Sequence, residues 1–340
     1  MQRTIYFDYL RVIACFAVVV LHISTTREFY DCTEPTFEWN VMNIYDSATR
    51  FCVPIFLMIS GALFLNPDKK LSLRKLYTHN ILRVITAFCF WSFIYACYEY
   101  SSSEGPSFLT LFLCGHFHMW FLWLIVGLYM MTPILRLITE NRRMIEYFLF
   151  FSFVFSFVVP FIFELTKIFV PTLTSLVEIG EMYCGNLRLH MLSGFTFYFI
   201  LGYYLHTTHI TRKIENAFIL LGILACTGIS GMSYFLFRST SVLNESFYDY
   251  GTFFVMLETI AIFLFVRRLV NEENKLIYSL SKYSFGIYLV HMFVYYILGL
   301  TPTMINPLIG IPLLSLLVFV VSYVIVLLLS RIPILNRWVI

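Results

Sequence analysis

The sequence predicts an all-α, polytopic integral membrane protein with about ten transmembrane helices and both termini cytoplasmic, and three observations predict it. Of 340 residues, 59% are hydrophobic and only 13% charged, with a mean hydropathy of +0.80; a soluble domain holds roughly 45–50% apolar residues. Apolar windows of about 20 residues, the length that crosses a bilayer, recur along the whole chain. The segments between those windows alternate in charge.

The windows lie near 9–27, 44–65, 81–98, 118–138, 145–163, 190–206, 216–236, 251–267, 283–300 and 308–329. The first has no small-residue cleavage site of the A-x-A kind, so it reads as a retained helix and not a removed signal peptide. Connections after the second, fourth, sixth and eighth windows are "NPDKKLSLRK", "ENRRM", "HTTHITRK" and "RRLVNEENK", all basic. Those on the other side include "EFYDCTEPTFEW", "YEYSSSEGP" and "NESFYDYG", which are acidic. Of the 23 Lys and Arg, 18 fall on or beside the first side, all but Arg27, Arg50, Lys167, Arg188 and Arg238. The positive-inside rule places that side, and with it both termini, in the cytoplasm. One missed helix would invert the sign of every later connection, so the alternation also supports the count.

No connection is long enough for a soluble domain, and no repeat, low-complexity tract or nucleotide-binding glycine fingerprint occurs. Residues 1–340 therefore read as a single transmembrane domain, with the lipid bilayer as its partner and no nucleic acid expected. The longest non-spanning stretch, 164–189, mixes apolar residues with Glu178, Glu181 and Arg188 and reads either as an interfacial or re-entrant segment or as a plain connection. Among eight cysteines, Cys15, Cys52, Cys89, Cys97 and Cys226 sit within spans, whereas Cys32, Cys114 and Cys184 lie near the outer face and are open to pairing. No zinc spacing occurs, and His206 and His209 lack thiolate or carboxylate support, so no metal site is predicted.

Ionisable groups at membrane depth carry the functional signal, because each costs roughly 2.5–3.5 kcal/mol at a helix centre unless it finds a partner or a wet cavity. Arg11 and His22 are the leading pair. Eleven residues at about 100° each return almost to the starting angle, so both project from one helix face, about 16 Å apart along the axis. Arg11 then lies toward the cytoplasm and His22 in the outer half. Taken alone, the pair fits a snorkelling anchor and an interhelical hydrogen bond. Arg50, His116, His118 and His291 place further polar groups at the outer level, however, and imidazole exchanges protons near neutral pH, which makes His22 or His291 a candidate general base.

From here the chain resembles the acyltransferase-3 family of integral membrane acyltransferases. Arg11, ten residues and His22 match its R-x10-H signature. "SATRFCVPIFLMISGALFL", Ser47 to Leu65, matches a second-helix pattern of a basic residue, V-P-[LI]-F and I-S-G. "HMWFLWLIVGLYMMTPIL", "FYFILGYYL" and "SKYSFGIYLVH" follow in the family's order. The resemblance implies a bacterial inner-membrane enzyme that transfers an acyl group, usually acetyl, from cytoplasmic acyl-coenzyme A to a hydroxyl of an envelope glycan or lipid-linked saccharide, with no bound cofactor.

Within that reading, Arg11, Arg83 and the cluster containing Lys75 are candidates for the donor's phosphates or pantetheine arm, and His22 for the base. Arg50 either binds the acceptor or braces the site through a carboxylate such as Asp46. His118, Trp120, Tyr288 and His291 are candidates to contact the acceptor or support the site, and Ser60 and Gly61 read as close-packing residues. No H-x4-D motif and no Ser or Cys nucleophile motif occurs, which favours direct transfer, although an acyl-histidine stays open. A transporter or flippase of small polar solutes or lipid-linked glycans is the alternative; no paired broken helices of the secondary-transporter kind support it. The sequence does not fix the oligomeric state.

Overall fold

The structure, a computed structural model, describes residues 3–102, 105–189 and 194–340. The principal helices are α1 (Ile5–Ser24), α2 (Phe37–Ser47), α3 (Cys52–Phe64), α4 (Leu82–Ser102), α5 (Trp120–Thr139), α6 (Arg142–Phe153), α7 (Val159–Phe169), α8 (Thr174–Asn186), α9 (Phe195–Thr207), α10 (Arg212–Thr240), α11 (Phe253–Leu269), α12 (Lys275–Leu298), α13 (Pro307–Leu329) and α14 (Pro333–Trp338). Strands are absent among the described residues, and the protein is an all-α polytopic membrane protein. Eight helical stretches there are long and apolar enough to cross a membrane. The two other expected spans are α9, of 13 residues, and α12, which is lengthened by a polar first half containing Lys275 and Lys282. Residues 190–193 of the expected sixth span lie outside the described residues.

Two spans are longer than their apolar windows because they are composite. A π-helical turn at Val154–Val158 joins α6 to α7, and another at Leu76–Ile81 leads into α4. The second span differs more. Its helix begins at Phe37, breaks at residues 48–51 and resumes at Cys52. Pro54, two residues into α3, has no N–H to donate to the carbonyl of Arg50, which is a physical reason for the break. Arg50 therefore sits in an internal break of the span and not at its mouth.

α1 is packed against α2, α3, α11, α12 and α13, so nearly its whole circumference is enclosed. α3 and α9 approach so closely that a Cβ built on Gly61 would lie 1.7 Å from the Phe199 carbonyl oxygen, and one on Gly202 would lie 2.0 Å from that of Met58. Only glycine permits this mutual contact, the small-residue packing that lets membrane helices approach.

One end of the bundle gathers the basic connections. The Arg136 guanidinium donates to the carbonyls of Pro67 (3.0 Å) and Lys69, and that of Arg267 to the carbonyls of Leu205 and Thr208 and to Glu215. Tyr6 and His206 share a hydrogen bond of 2.7 Å, and Ser281 donates to Asp8 at 2.7 Å. These contacts draw the starts of α1, α10 and α12 together with the ends of α9 and α11 and the segment after α3, as the alternation of charge requires.

The 164–189 stretch is largely helical. Lys167 pairs with Glu181 at 2.6 Å across the α7–α8 turn, while Leu176, Ile179, Met182 and Tyr183 are exposed. An apolar face left open in this way suits an interfacial segment, and no residue of α8 lines the cavities described below. All eight cysteines are free, so the outer Cys32, Cys114 and Cys184 are not paired.

Candidate active site

A cavity of about 580 Å³ enters the bundle from its basic end. Arg3, Arg11, His79, Arg83 and Lys282 line its charged part, and Val18, Val53, Phe121, Ile125 and Tyr288 its apolar part. Arg11 is thus turned into the protein and not splayed toward headgroups. It is held by Asp8, three residues earlier, at 3.5 Å; Asp8 also accepts from Arg3 (2.7 Å) and Ser281. One buried carboxylate therefore fixes two arginines and α12 in one arrangement. Arg83 reaches the same cavity and donates to the backbone oxygen of Ile340. Lys75 lies next door, in a cavity of about 270 Å³ with Lys69, Lys70 and Arg136, which shares Leu63, Phe64 and Asn80 with the larger one.

Beyond the apolar part stands a cluster of imidazoles. His22 stacks on His291 with ring centroids 5.3 Å apart and planes 25° from parallel. His118 lies 5.2 Å from His291 and 6.2 Å from His22. Tyr288 joins the two regions: it lines the cavity, and its hydroxyl donates to the His118 carbonyl. His22, His118, His291 and Tyr288, which come from α1, α12 and the turn before α5, thus form one group. None of these three histidines lines the cavity.

Hydrogen bonding fixes what His291 offers. Its Nδ1 is 2.6 Å from the Tyr288 carbonyl, which only accepts, so Nδ1 carries the proton and, in a neutral ring, Nε2 is a bare acceptor. That Nε2 is buried without a partner, as is His118 Nε2. Unpaired buried polar atoms are costly, and two imidazole nitrogens left open beside His22 suit a ligand that brings hydrogen-bond donors.

Arg50 makes the carboxylate pairing expected of a brace. Its guanidinium pairs with Asp46, which has no solvent exposure, donates to the Tyr248 carbonyl at 3.1 Å and lies 4.7 Å from the centre of the Tyr248 ring. The buried Glu258 lies within electrostatic range of both Arg50 and Asp46. Arg50 also interacts electrostatically with His22, so the brace adjoins the imidazoles. Trp120 is 41% exposed and stacks on Tyr250 at 5.8 Å, 27° from parallel. His206 is taken up by Tyr6.

Asp8, Tyr129 and Glu99 went unread in the sequence. Asp8 precedes Arg11 by three residues, so it was findable as a helical ion pair. Tyr129 lines the cavity within electrostatic range of Arg11 and Arg83, but a tyrosine inside an apolar helix gives no warning. His116 was visible as a polar outer residue, yet nothing in the chain shows that its ring faces His118.

The described residues thus form a helical membrane bundle with a cavity opening at its basic end and a buried imidazole cluster beyond it. The family model described as an acyltransferase domain matches residues 4–331. The chain belongs to the acyltransferase-3 family and is a membrane acyltransferase. Comparison with curated proteins and with solved structures gave no match.

Proposed function

We propose that this protein is an O-acetyltransferase of the bacterial cytoplasmic membrane, acting through one domain, 1–340, on a hydroxyl of a cell-envelope polysaccharide or lipid-linked glycan, with acetyl-coenzyme A as donor. The observation that carries the reading is the course of the cavity, from a rim of arginines to Tyr288 at the edge of the histidine cluster. Arginine suits phosphate and other polyanionic groups, so Arg11, Arg83 and, through the adjoining cavity, Lys75 receive the donor's charged end. The apolar sleeve takes its uncharged arm.

His22 then removes the proton of the attacking hydroxyl as oxygen bonds to the thioester carbonyl, and the C–S bond breaks to release the coenzyme A thiolate. That thiolate takes up the proton. His118, His291 and Tyr288 hold the acceptor, and Trp120 on Tyr250 offers an outer aromatic face to a sugar. A particular likeness, to the enterobacterial common antigen O-acetyltransferase, rests on Ser47, Arg50, Val53, Pro54 and the I-S-G run at 59–61.

Purified protein in lipid discs, given acetyl-coenzyme A and an envelope glycan fraction, is expected to release free thiol only when both are present. Acceptor transport without thiol release would overturn the reading. His22→Ala is expected to lower turnover about 10²- to 10⁴-fold, the usual worth of a positioned base, with insertion intact; near-normal turnover removes His22 from that role. Arg11→Ala is expected to raise KM for the donor far more than KM for the glycan.

A further inference from the structure

The imidazole cluster continues outward through groups that the proposed reaction does not use. Gly115, at a φ of +71°, turns the chain after a short helix and delivers His116 beneath the outer end of α4. His116 Nδ1 lies 2.6 Å from His118 Nδ1. On its other side His116 Nε2 faces the Tyr296 hydroxyl at 3.0 Å and the Glu99 carboxylate at 3.6 Å. Tyr95 stacks on the His116 ring at 4.4 Å and 21°, and is itself pinned by donating to the Leu289 carbonyl and accepting from the Phe293 amide. The His116 ring is thus clamped in one plane.

Only one of the two facing Nδ1 atoms can hold the proton of a bond between neutral rings, so the tautomers of His116 and His118 are coupled. Glu99 breaks the tie. A carboxylate only accepts and a phenol can do either, so a proton on His116 Nε2 meets two acceptors, whereas a lone pair there would face a negative charge. With the proton on Nε2, His116 accepts at Nδ1, His118 donates from Nδ1, and His118 Nε2 is left bare. That atom is one of the buried nitrogens without a hydrogen-bond partner, while the Tyr288 carbonyl also interacts with the His118 ring.

We propose that Glu99, acting through His116, sets the tautomer of His118 so that its Nε2 is a bare acceptor for a second hydroxyl of the glycan, beside the one that His22 deprotonates. Glu99 and His116 are positioning residues. The assignment of tautomers stands on the geometry alone; the ligand rests on the acyltransferase reading above.

The test is nitrogen NMR of the whole protein labelled with ¹⁵N-histidine in lipid discs, with the His118 signals assigned by their loss in His118→Gln. The expected result is His118 protonated on Nδ1 and bare at Nε2, with Glu99→Ala moving it toward the other tautomer. Glu99→Gln is isosteric, guards against a folding defect and is expected to shift it less. In parallel, Glu99→Ala is expected to lower kcat/KM for the glycan about tenfold, as loss of an orienting partner does, with KM for acetyl-coenzyme A unchanged. Wild-type His118 protonated on Nε2, or a tautomer ratio indifferent to Glu99→Ala, would overturn the proposal. If the wild type releases no thiol at all, the acyltransferase reading fails while the spectrum still decides the tautomer.

Discussion

Gly61 and Gly202 face one another across α3 and α9, and their contact sets the most exacting structural prediction. Gly61→Ala places a methyl carbon 1.7 Å from the Phe199 carbonyl oxygen and 2.6 Å from its carbon. These are backbone atoms, which cannot rotate away as a side chain would. Restoring an ordinary separation of about 3.5 Å forces the helices apart by about 2 Å. Overpacking costs typically 1–3 kcal/mol, and a backbone obstruction belongs at the upper end, so about 3 kcal/mol is expected.

The assay is thermal unfolding in detergent, followed by the fluorescence of the buried Trp39 and Trp91. The controls are Gly127→Ala and Gly231→Ala, whose added Cβ atoms meet nothing within 4 Å. They should melt with the wild type or slightly above it, because alanine is favoured over glycine in a helix by up to about 1 kcal/mol. If Gly61→Ala melts with these controls, the close approach of α3 and α9 is wrong. Since α3 supplies Val53, Ile59, Ser60 and Leu63 to the cavity, the same variant should also raise KM for the donor.

Other expectations concern the outer half. Arg50→Leu should destabilise by about 3–5 kcal/mol, the cost of stranding a buried charge, and by more than Asp46→Leu, because it deprives both Asp46 and Glu258 of their cation. The double variant should recover most of the loss; a double-mutant cycle in denaturant that shows simple additivity would refute the brace. Trp120→Ala removes the exposed ring that stacks on Tyr250 and should raise KM for the glycan severalfold with the donor KM unchanged, as steady-state kinetics would show.

The spans were legible because crossing hydrocarbon demands long apolar runs. What escaped was polar helix buried within the bundle. α2 carries Asn40, Asn43 and Asp46, which depress its hydropathy although Asn43 and Asp46 are buried, so the apolar window opened a full two turns late. α12 began at Lys275 for the same reason.

Arg11 and His22 could be read because an ionisable group in an apolar helix is expensive and conspicuous. Glu99 could not, since it stands at the end of a span beside an acidic connection and looks solvated. Its neighbour is brought up only by the turn at Gly115, whose backbone conformation no apolar pattern records. The sequence offered Arg50 an acceptor contact or a brace through Asp46, and the structure shows the Asp46 pair.

Tyr288 has a consequence that concerns the shape of the chamber more than the chemistry. Its ring lines the chamber that opens at the basic end, and its hydroxyl rests on the segment that carries His118. At this point a single phenol both walls the chamber and supports the imidazole segment. Any side chain occupying the position must therefore fill space as well as bind, and a small residue there would widen the chamber toward the imidazoles as it removed a hydrogen bond.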